Sequence, residues 1–195
     1  MRRSGLLLLS VSALAACVTV RPPPPPPAAA LPWAQRCLDL QRAGDWRLDG
    51  RVAAVIGDTG WQASLTWSQA AEVSELRLAG PLGVGAQVLR LSAAGLVVNG
   101  APAGDAAVAA LQAKLGFQLP LAPLRYWLLG VPQPGTPFIL VRNADDRAEH
   151  LEQDGWSIAY DRYLAAAGDR LPQRLVLTRG DVRVRLIVDR WDFAQ

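Results

Sequence analysis

One histidine, one methionine and two cysteines are all that the 195 residues offer of the softer metal ligands and reactive side chains. A zinc or iron–sulfur site needs clustered Cys and His, and no such spacing occurs. Cys–His catalysis fares no better. Cys37 lies far along the chain from His150, which sits among surface charges (Asp145, Asp146, Arg147, Glu149). There is no Gly-x-Ser-x-Gly elbow and no phosphate-cradling glycine loop. The Glu72/Glu75 and Asp145/Asp146 pairs read as solvated turns, not as an acid–base dyad. Lysine is confined to Lys114, and arginine carries the remaining positive charge without forming a basic stripe interleaved with aromatics. A nucleic-acid partner is therefore excluded. Long apolar runs are missing too. The longest, Leu6 to Ala13, falls well short of the ~20 residues that a membrane-spanning helix needs. These absences predict a protein with no catalytic residues, no cofactor and no metal.

What is present begins at the N-terminus. Arg2 and Arg3 precede the apolar run, and Leu14-Ala15-Ala16-Cys17 follows it. A cationic start, an apolar middle and small residues at a cleavage point make a secretory signal. Leu-Ala-Ala-Cys resembles a bacterial lipobox, in which the thiol is diacylated and the signal is cut just before it. Ordinary secretion is the rival, since Ala13-Leu14-Ala15 also fits a small-x-small site. On the lipobox reading residues 1–16 are removed, Cys17 becomes the lipidated N-terminus, and residues 17–31 form a tether. Each buried CH₂ contributes ~0.8 kcal/mol, so two or more chains anchor stably. Residue 18 is valine rather than aspartate. In lipoproteins of this type that resemblance implies delivery to the outer membrane. With Cys17 acylated, Cys37 has no disulfide partner and reads as a lone buried thiol. Losing Arg2 and Arg3 reduces the formal charge from +3 to +1.

Pro22 to Pro27 form a stiff spacer of ~3.1 Å per residue. Residues 32–195 form one domain. A short helix is expected over residues 32–44. From Trp46 the apolar period becomes two. Trp46, Leu48, Gly50, Val52, Ala54 and Ile56 share one face, with Arg47, Asp49 and Arg51 opposite. Further strands are expected near residues 61–67, 75–79, 86–92 and 95–99. Helical spacing then appears over 105–117, and a second short helix starts at Pro123 and stops at Gly130. Strands return at 138–141, 148–153, 156–160, 174–178 and 182–189. The fold class is mainly β with α: an antiparallel sheet of 10–11 strands curled into a barrel, with helices covering its mouth or filling its interior. Strands shorter than the ~9–11 residues of a membrane barrel, with Arg and Asp on their polar faces, argue against a transmembrane barrel.

A set of short motifs recurs in a fixed order. They are Trp61-x5-Trp67-Ser68-Gln69, Gly80-Pro81-Leu82-Gly83, Leu119-Pro120-x3-Leu124-Arg125-Tyr126-Trp127-x2-Gly130, Gln153-x-Gly155-Trp156-x3-Tyr160 and a final strand ending at Trp191. The set, with its lipobox, resembles the LolB family of outer-membrane lipoproteins. That resemblance implies an unclosed barrel around an apolar cavity, anchored in the outer membrane and facing the periplasm. It implies a monomer that accepts triacylated lipoproteins from the periplasmic carrier LolA and inserts them into outer-membrane lipid. The hexaproline tether departs from the longer-studied members.

Gly80-Pro81-Leu82-Gly83 fits a tight turn, with proline second, Leu82 third and glycine fourth. An apolar residue at such a tip commonly folds back onto its sheet. The resemblance implies instead that Leu82 projects to solvent and helps to insert cargo into the bilayer. Burying a leucine is worth ~1.5–3 kcal/mol, too little to anchor but enough to orient. The tryptophans read first as core, and a barrel of this size can be filled by side chains alone. They can equally wall a cavity for acyl chains, and Trp46, Trp61, Leu65, Trp67, Trp127 and Leu128 are the candidates. Arg125, among apolar neighbours, either points outward or pairs with a carboxylate such as Asp49. A lipocalin-like lipoprotein that binds a free small lipid is the alternative function. A lipid hydrolase and an assembly scaffold are weaker rivals.

Overall fold

The computed structural model describes residues 32–193 apart from 84 and 167. The expected signal, Cys17 and the tether lie outside the described residues. The domain opens with helix α1 (Trp33–Arg42) and the strands β1 (Asp45–Ile56), β2 (Thr59–Ala70), β3 (Val73–Ala79), β4 (Gln87–Ser92), β5 (Gly95–Val98) and β6 (Ala101–Pro102). Helices α2 (Asp105–Leu115) and α3 (Leu121–Leu128) follow. The strands β7 (Phe138–Arg142), β8 (Ala148–Gln153), β9 (Trp156–Ala166), β10 (Asp169–Arg179) and β11 (Val182–Phe193) complete the chain.

The eleven strands make one antiparallel sheet in the order β6-β5-β4-β3-β2-β1-β11-β10-β9-β8-β7. The first and last strands are thus neighbours at its middle, in register from Trp46↔Phe193 to Ile56↔Val182. The register slips once, at Asp49/Gly50. Only glycine fits there, because a Cβ on residue 50 would sit 2.3 Å from the Ile187 carbonyl oxygen. Alternation works as the period of two requires, with Trp46, Leu48, Val52 and Ala54 buried on one face of β1. The two edges, β6 and β7, never pair, so the barrel is unclosed. Side chains from β3 (Leu76, Leu78) and β9 (Trp156) nevertheless line the same cavity. Five inter-strand steps separate these strands, ~24 Å along a flat sheet, so the sheet must curl.

Helices α2 and α3 carry the chain from edge strand β6 to edge strand β7. Helix α2 ends at Gly116 in the left-handed region (φ 82°), where its N–H donates to the Gln112 carbonyl at 2.7 Å. Helix α3 begins two residues before the expected Pro123. A proline in the first turn loses only an N–H that has no helical partner anyway. Helix α1 is held by Arg36, whose Nε donates to Asp169 at 2.6 Å and Nη2 to the Arg170 carbonyl at 3.0 Å.

Two expectations are corrected. The long strands are not short: β1, β2 and β11 each run 12 residues, and β9 and β10 run 11. That matches the length of a membrane strand, so the polar outer face, with exposed Arg51, Arg77, Arg183 and Arg185, carries the argument alone. The two-residue strand β6 was not anticipated, being too short for any period to register.

Candidate acyl-chain cavity and the turn beside it

The two ends of the barrel differ. One end is filled by indoles. Trp46 stacks on Trp67 with ring centroids 6.2 Å apart and planes 11° from parallel, and Trp191 lies 5.5 Å from Trp46. Two of the three indole N–H groups have partners. Trp67 Nε1 donates to Gln69 at 3.3 Å, and Trp191 Nε1 to the Pro172 carbonyl at 3.1 Å. Trp127 and Leu128 of α3 are fully buried in the same continuous core.

The other end keeps a small hollow of about 40 Å³ with a wholly apolar lining. Leu78, Val184 and Leu177 face it from the sheet, Leu124 from α3, and Trp61 and Trp156 from its rim. Phe117, Leu119 and Pro120, the link between α2 and α3, also line it. Phe117 meets Trp156 edge-on at 6.1 Å. Trp61 Nε1 donates to the Leu115 carbonyl at 2.9 Å, which pins the end of α2 to β2. The hollow is small, and no polar surface lines it.

Of the six residues expected to wall the cavity, Trp61 lies on the lining. Trp46, Leu65, Trp67, Trp127 and Leu128 are buried in the core around and below it. Leu78, Val184 and Phe117 were not singled out. The first two sit on the apolar face of alternating strands, a signal shared by every core residue. Phe117 follows α2 directly, and no local pattern marks it as a roof.

After β3 a one-turn 3₁₀ segment (Pro81–Gly83) follows Gly80, closed by the Gly83 N–H on the Gly80 carbonyl at 2.9 Å. Gly83 has φ 78°, a conformation suited to glycine. Because Leu78 lines the hollow two residues earlier, the turn stands at the cavity end of the barrel.

Arg125 does not pair with Asp49. Its guanidinium grips Glu72, in the β2–β3 turn, through two hydrogen bonds of 2.8 and 3.3 Å, and lies 4.6 Å over the Tyr126 ring. Glu72 is thereby held below the usual carboxylate range by the Arg125 hydrogen bonds and charge. Glu72 is the solvated turn residue expected, now with a partner, whereas Glu75 lies within strand β3 and not in a turn. Asp49 is taken instead by Arg47, Thr66 and Arg190 on the outer face. Cys37 is free and half-buried, and burial pushes its thiol up, away from thiolate chemistry.

His150, Ser157 and Glu152 cluster on the outside of β8 and β9. Both Ser157 Oγ and Glu152 Oε1 lie 3.3 Å from the same ring nitrogen, Nε2. A catalytic triad needs the carboxylate on the other nitrogen, so serine and glutamate compete here rather than relay. Among the described residues no group of three or more His, Cys, Asp or Glu is placed to hold a metal.

Comparison with known proteins adds to this geometry. The family model described as "Outer membrane lipoprotein LolB" matches residues 44–191. The "Outer-membrane lipoprotein LolB" of Nitrosococcus oceani is 33% identical over 197 residues, covering 97% of this chain and 96% of the relative. Those of Pseudomonas aeruginosa (36%; 83% of this chain, 81% of the relative) and Pseudomonas putida (34%; 82% and 80%) are similar. Among solved structures, a LolA superfamily protein from Nitrosomonas europaea aligns with TM-score 0.53 at 9% identity, covering 85% of this chain and 95% of that one. That likeness concerns the fold alone.

Proposed function

This chain belongs to the LolB family of outer-membrane lipoproteins, and from that premise we propose that it accepts triacylated lipoproteins from the periplasmic carrier LolA and inserts them into outer-membrane lipid. Cys17 is the lipidated anchor, residues 1–16 the removed signal and residues 17–31 the tether. The single observation that carries the reading is a wholly apolar hollow at one end of an unclosed barrel, roofed by a helix link and flanked by the Gly80–Gly83 turn.

Acyl chains need greasy volume without fixed polar partners, and the lining supplies it. The hollow is small against the three chains of a triacylated lipoprotein, so a gate must open. Helix α2 is the mobile element. It buries only Leu111 and Leu115, glycines flank it at 104 and 116, and the Trp61 Nε1 bond to the Leu115 carbonyl is the latch that its movement must break. Helix α3 stays in place, fixed by Trp127 in the core and by Arg125 on Glu72. Swinging α2 away carries Phe117 off the hollow and joins it to the gap between β6 and β7. The indole-filled end sets the floor of the enlarged cavity, where Trp67, Trp127, Leu65 and Leu128 meet the chain ends. No step needs ATP. A tenfold preference at each transfer takes only ~1.4 kcal/mol. Leu82 then enters the bilayer and turns the cavity end toward lipid, with Gly80, Pro81 and Gly83 shaping the turn.

The test mixes the mature chain carrying Cys17→Ser with carrier loaded with an acylated lipoprotein, then adds outer-membrane vesicles. Cargo should move to this chain and onward to vesicles, and Leu82→Glu should block the second step while sparing the first. Cargo that stays on the carrier overturns the proposal. Uptake of a free fatty acid without uptake of acylated protein would favour a small-lipid binder instead.

A further inference from the structure

Outside the barrel, a groove of about 500 Å³ runs from the Gly80–Gly83 turn across the outer faces of β2, β1 and β11. Arg51 and Arg185 line it together with Gln62 and Ser64, and Pro81 and Gly83 form one wall. Among the described residues no carboxylate lines it. Ala53 pairs with Arg185, and Arg51 with Ile187, so the two arginines are diagonal neighbours ~7–8 Å apart. Arg183 lies two residues along β11 on the same exposed face. Among the described residues Asp189, 2.9 Å from Arg51, is the only carboxylate paired with any of the three. Three guanidiniums at this spacing repel one another and leave an excess of positive charge with open donors.

We propose that this groove binds the phosphates of membrane phospholipids, so that the protein meets the bilayer through arginine–phosphate pairs beside an inserted leucine. The inference rests on the reading that Leu82 enters lipid, and it supplies what that reading lacks. One leucine turns the cavity end toward lipid but leaves the body free to rotate and tilt about that single point. A second contact of different chemistry, one wall of which is the same turn, fixes the angle at which the cavity end faces the membrane. Arginine suits the task, because its planar fork pairs with two phosphate oxygens at once. Gln62 adds a neutral donor for headgroup hydroxyls. A membrane fits the site better than a protein partner for a positional reason: whatever fills the groove must touch the turn that dips into the bilayer.

The experiment measures co-sedimentation of the mature Cys17→Ser chain with vesicles of phosphatidylcholine alone or mixed with phosphatidylglycerol. The unaltered chain should prefer the anionic vesicles. Arg183→Gln/Arg185→Gln should weaken anionic binding roughly fivefold per arginine removed and leave neutral binding unchanged. Arg185→Gln alone should show half that logarithmic loss, and Arg90→Gln, on β4 away from the groove, almost none. Arg183 and Arg185 are both exposed, so near-native circular dichroism is expected of the double variant. No preference for anionic vesicles, or a preference that survives the double variant, overturns the proposal. So does a double variant that binds vesicles normally but takes no cargo from loaded carrier, since the arginines would then serve a protein. Leu82→Ser, which adds no charge, separates the two readings: it should weaken binding to both vesicle types alike. If it weakens neither, the reading of the turn falls, whatever the arginines do.

Discussion

Trp127 Nε1 donates to Gln153 Oε1 at 2.8 Å in the middle of the core. The same oxygen accepts the Gln133 N–H at 2.8 Å, and the amide nitrogen donates to the Gln133 and Thr136 carbonyls at 2.9 and 3.2 Å. Every hydrogen-bonding position of a buried amide is used, and the group ties α3 and the loop after it to β8.

Replacing that amide exposes what it satisfies. Gln153→Met keeps the length but strands the indole N–H and a backbone N–H, each costing ~1–3 kcal/mol. Urea unfolding should show a loss of about 3 kcal/mol, with an unchanged m-value.

Phe117 roofs the hollow and packs on Trp156. Phe117→Ala should cost about 3 kcal/mol of stability and enlarge the hollow. Binding of a fluorescent acyl probe, followed by titration, should tighten or quicken. Leu186→Trp, which fills the same space, should reduce it.

Asp169 accepts from two arginines, Arg36 at 2.6 Å and Arg147 at 3.1 Å. Burial opposes its ionisation, but the Arg170 N–H and the Arg36 and Arg147 guanidiniums outweigh that and hold its carboxyl below the ordinary 3.8. A carboxyl lowered on folding stabilises fully above its ordinary value and loses that contribution as pH falls through the lowered one. Thermal melts should therefore fall on acidification below about pH 4. Asp169→Asn should cost about 2 kcal/mol at neutral pH, a figure discounted for the partly exposed carboxylate, and its melts should fall less steeply in acid.

Arg125 and Glu72 form an exposed pair, worth ~0.2–1 kcal/mol. Arg125→Gln should barely change the melting temperature, yet it frees the upper half of α3 beside the hollow. Acyl-probe uptake in stopped-flow should quicken by up to about fivefold, the rate equivalent of that energy. Glu72 also has a lowered carboxyl, with an ordinary value of 4.5. The unaltered chain should approach the variant's uptake rate as pH falls below that value, and the variant should respond less.

The alternating strands were legible because a half-buried antiparallel strand writes its inner face into every second residue, as Trp46 to Ala54 show. The two helices between the halves were legible from their change of period. Partners across space were not. Arg125 sits 53 residues from Glu72, and nothing in either local sequence distinguishes that carboxylate from Asp49. The cavity wall was legible only as apolar character, which Trp67 in the solid core shares with Trp61 on the lining. Which of them faces a void depends on how tightly facing side chains fill the space, and packing of that kind has no one-dimensional signature. The strand lengths were misjudged because β9 continues through Asp161, Arg162 and Tyr163, where alternation weakens as the edge of the core is reached.

Trp46 opposite Phe193 means that the domain starts and finishes at its indole-filled end, away from the hollow. A twelve-residue strand spans ~40 Å, and residues 18–31 reach at most ~50 Å when drawn out fully. With Cys17 proposed as the anchored residue, that reach is only slightly longer than the body it would have to let turn over. We therefore propose that the length of the proline row is a geometric minimum, below which the greasy end no longer reaches the leaflet.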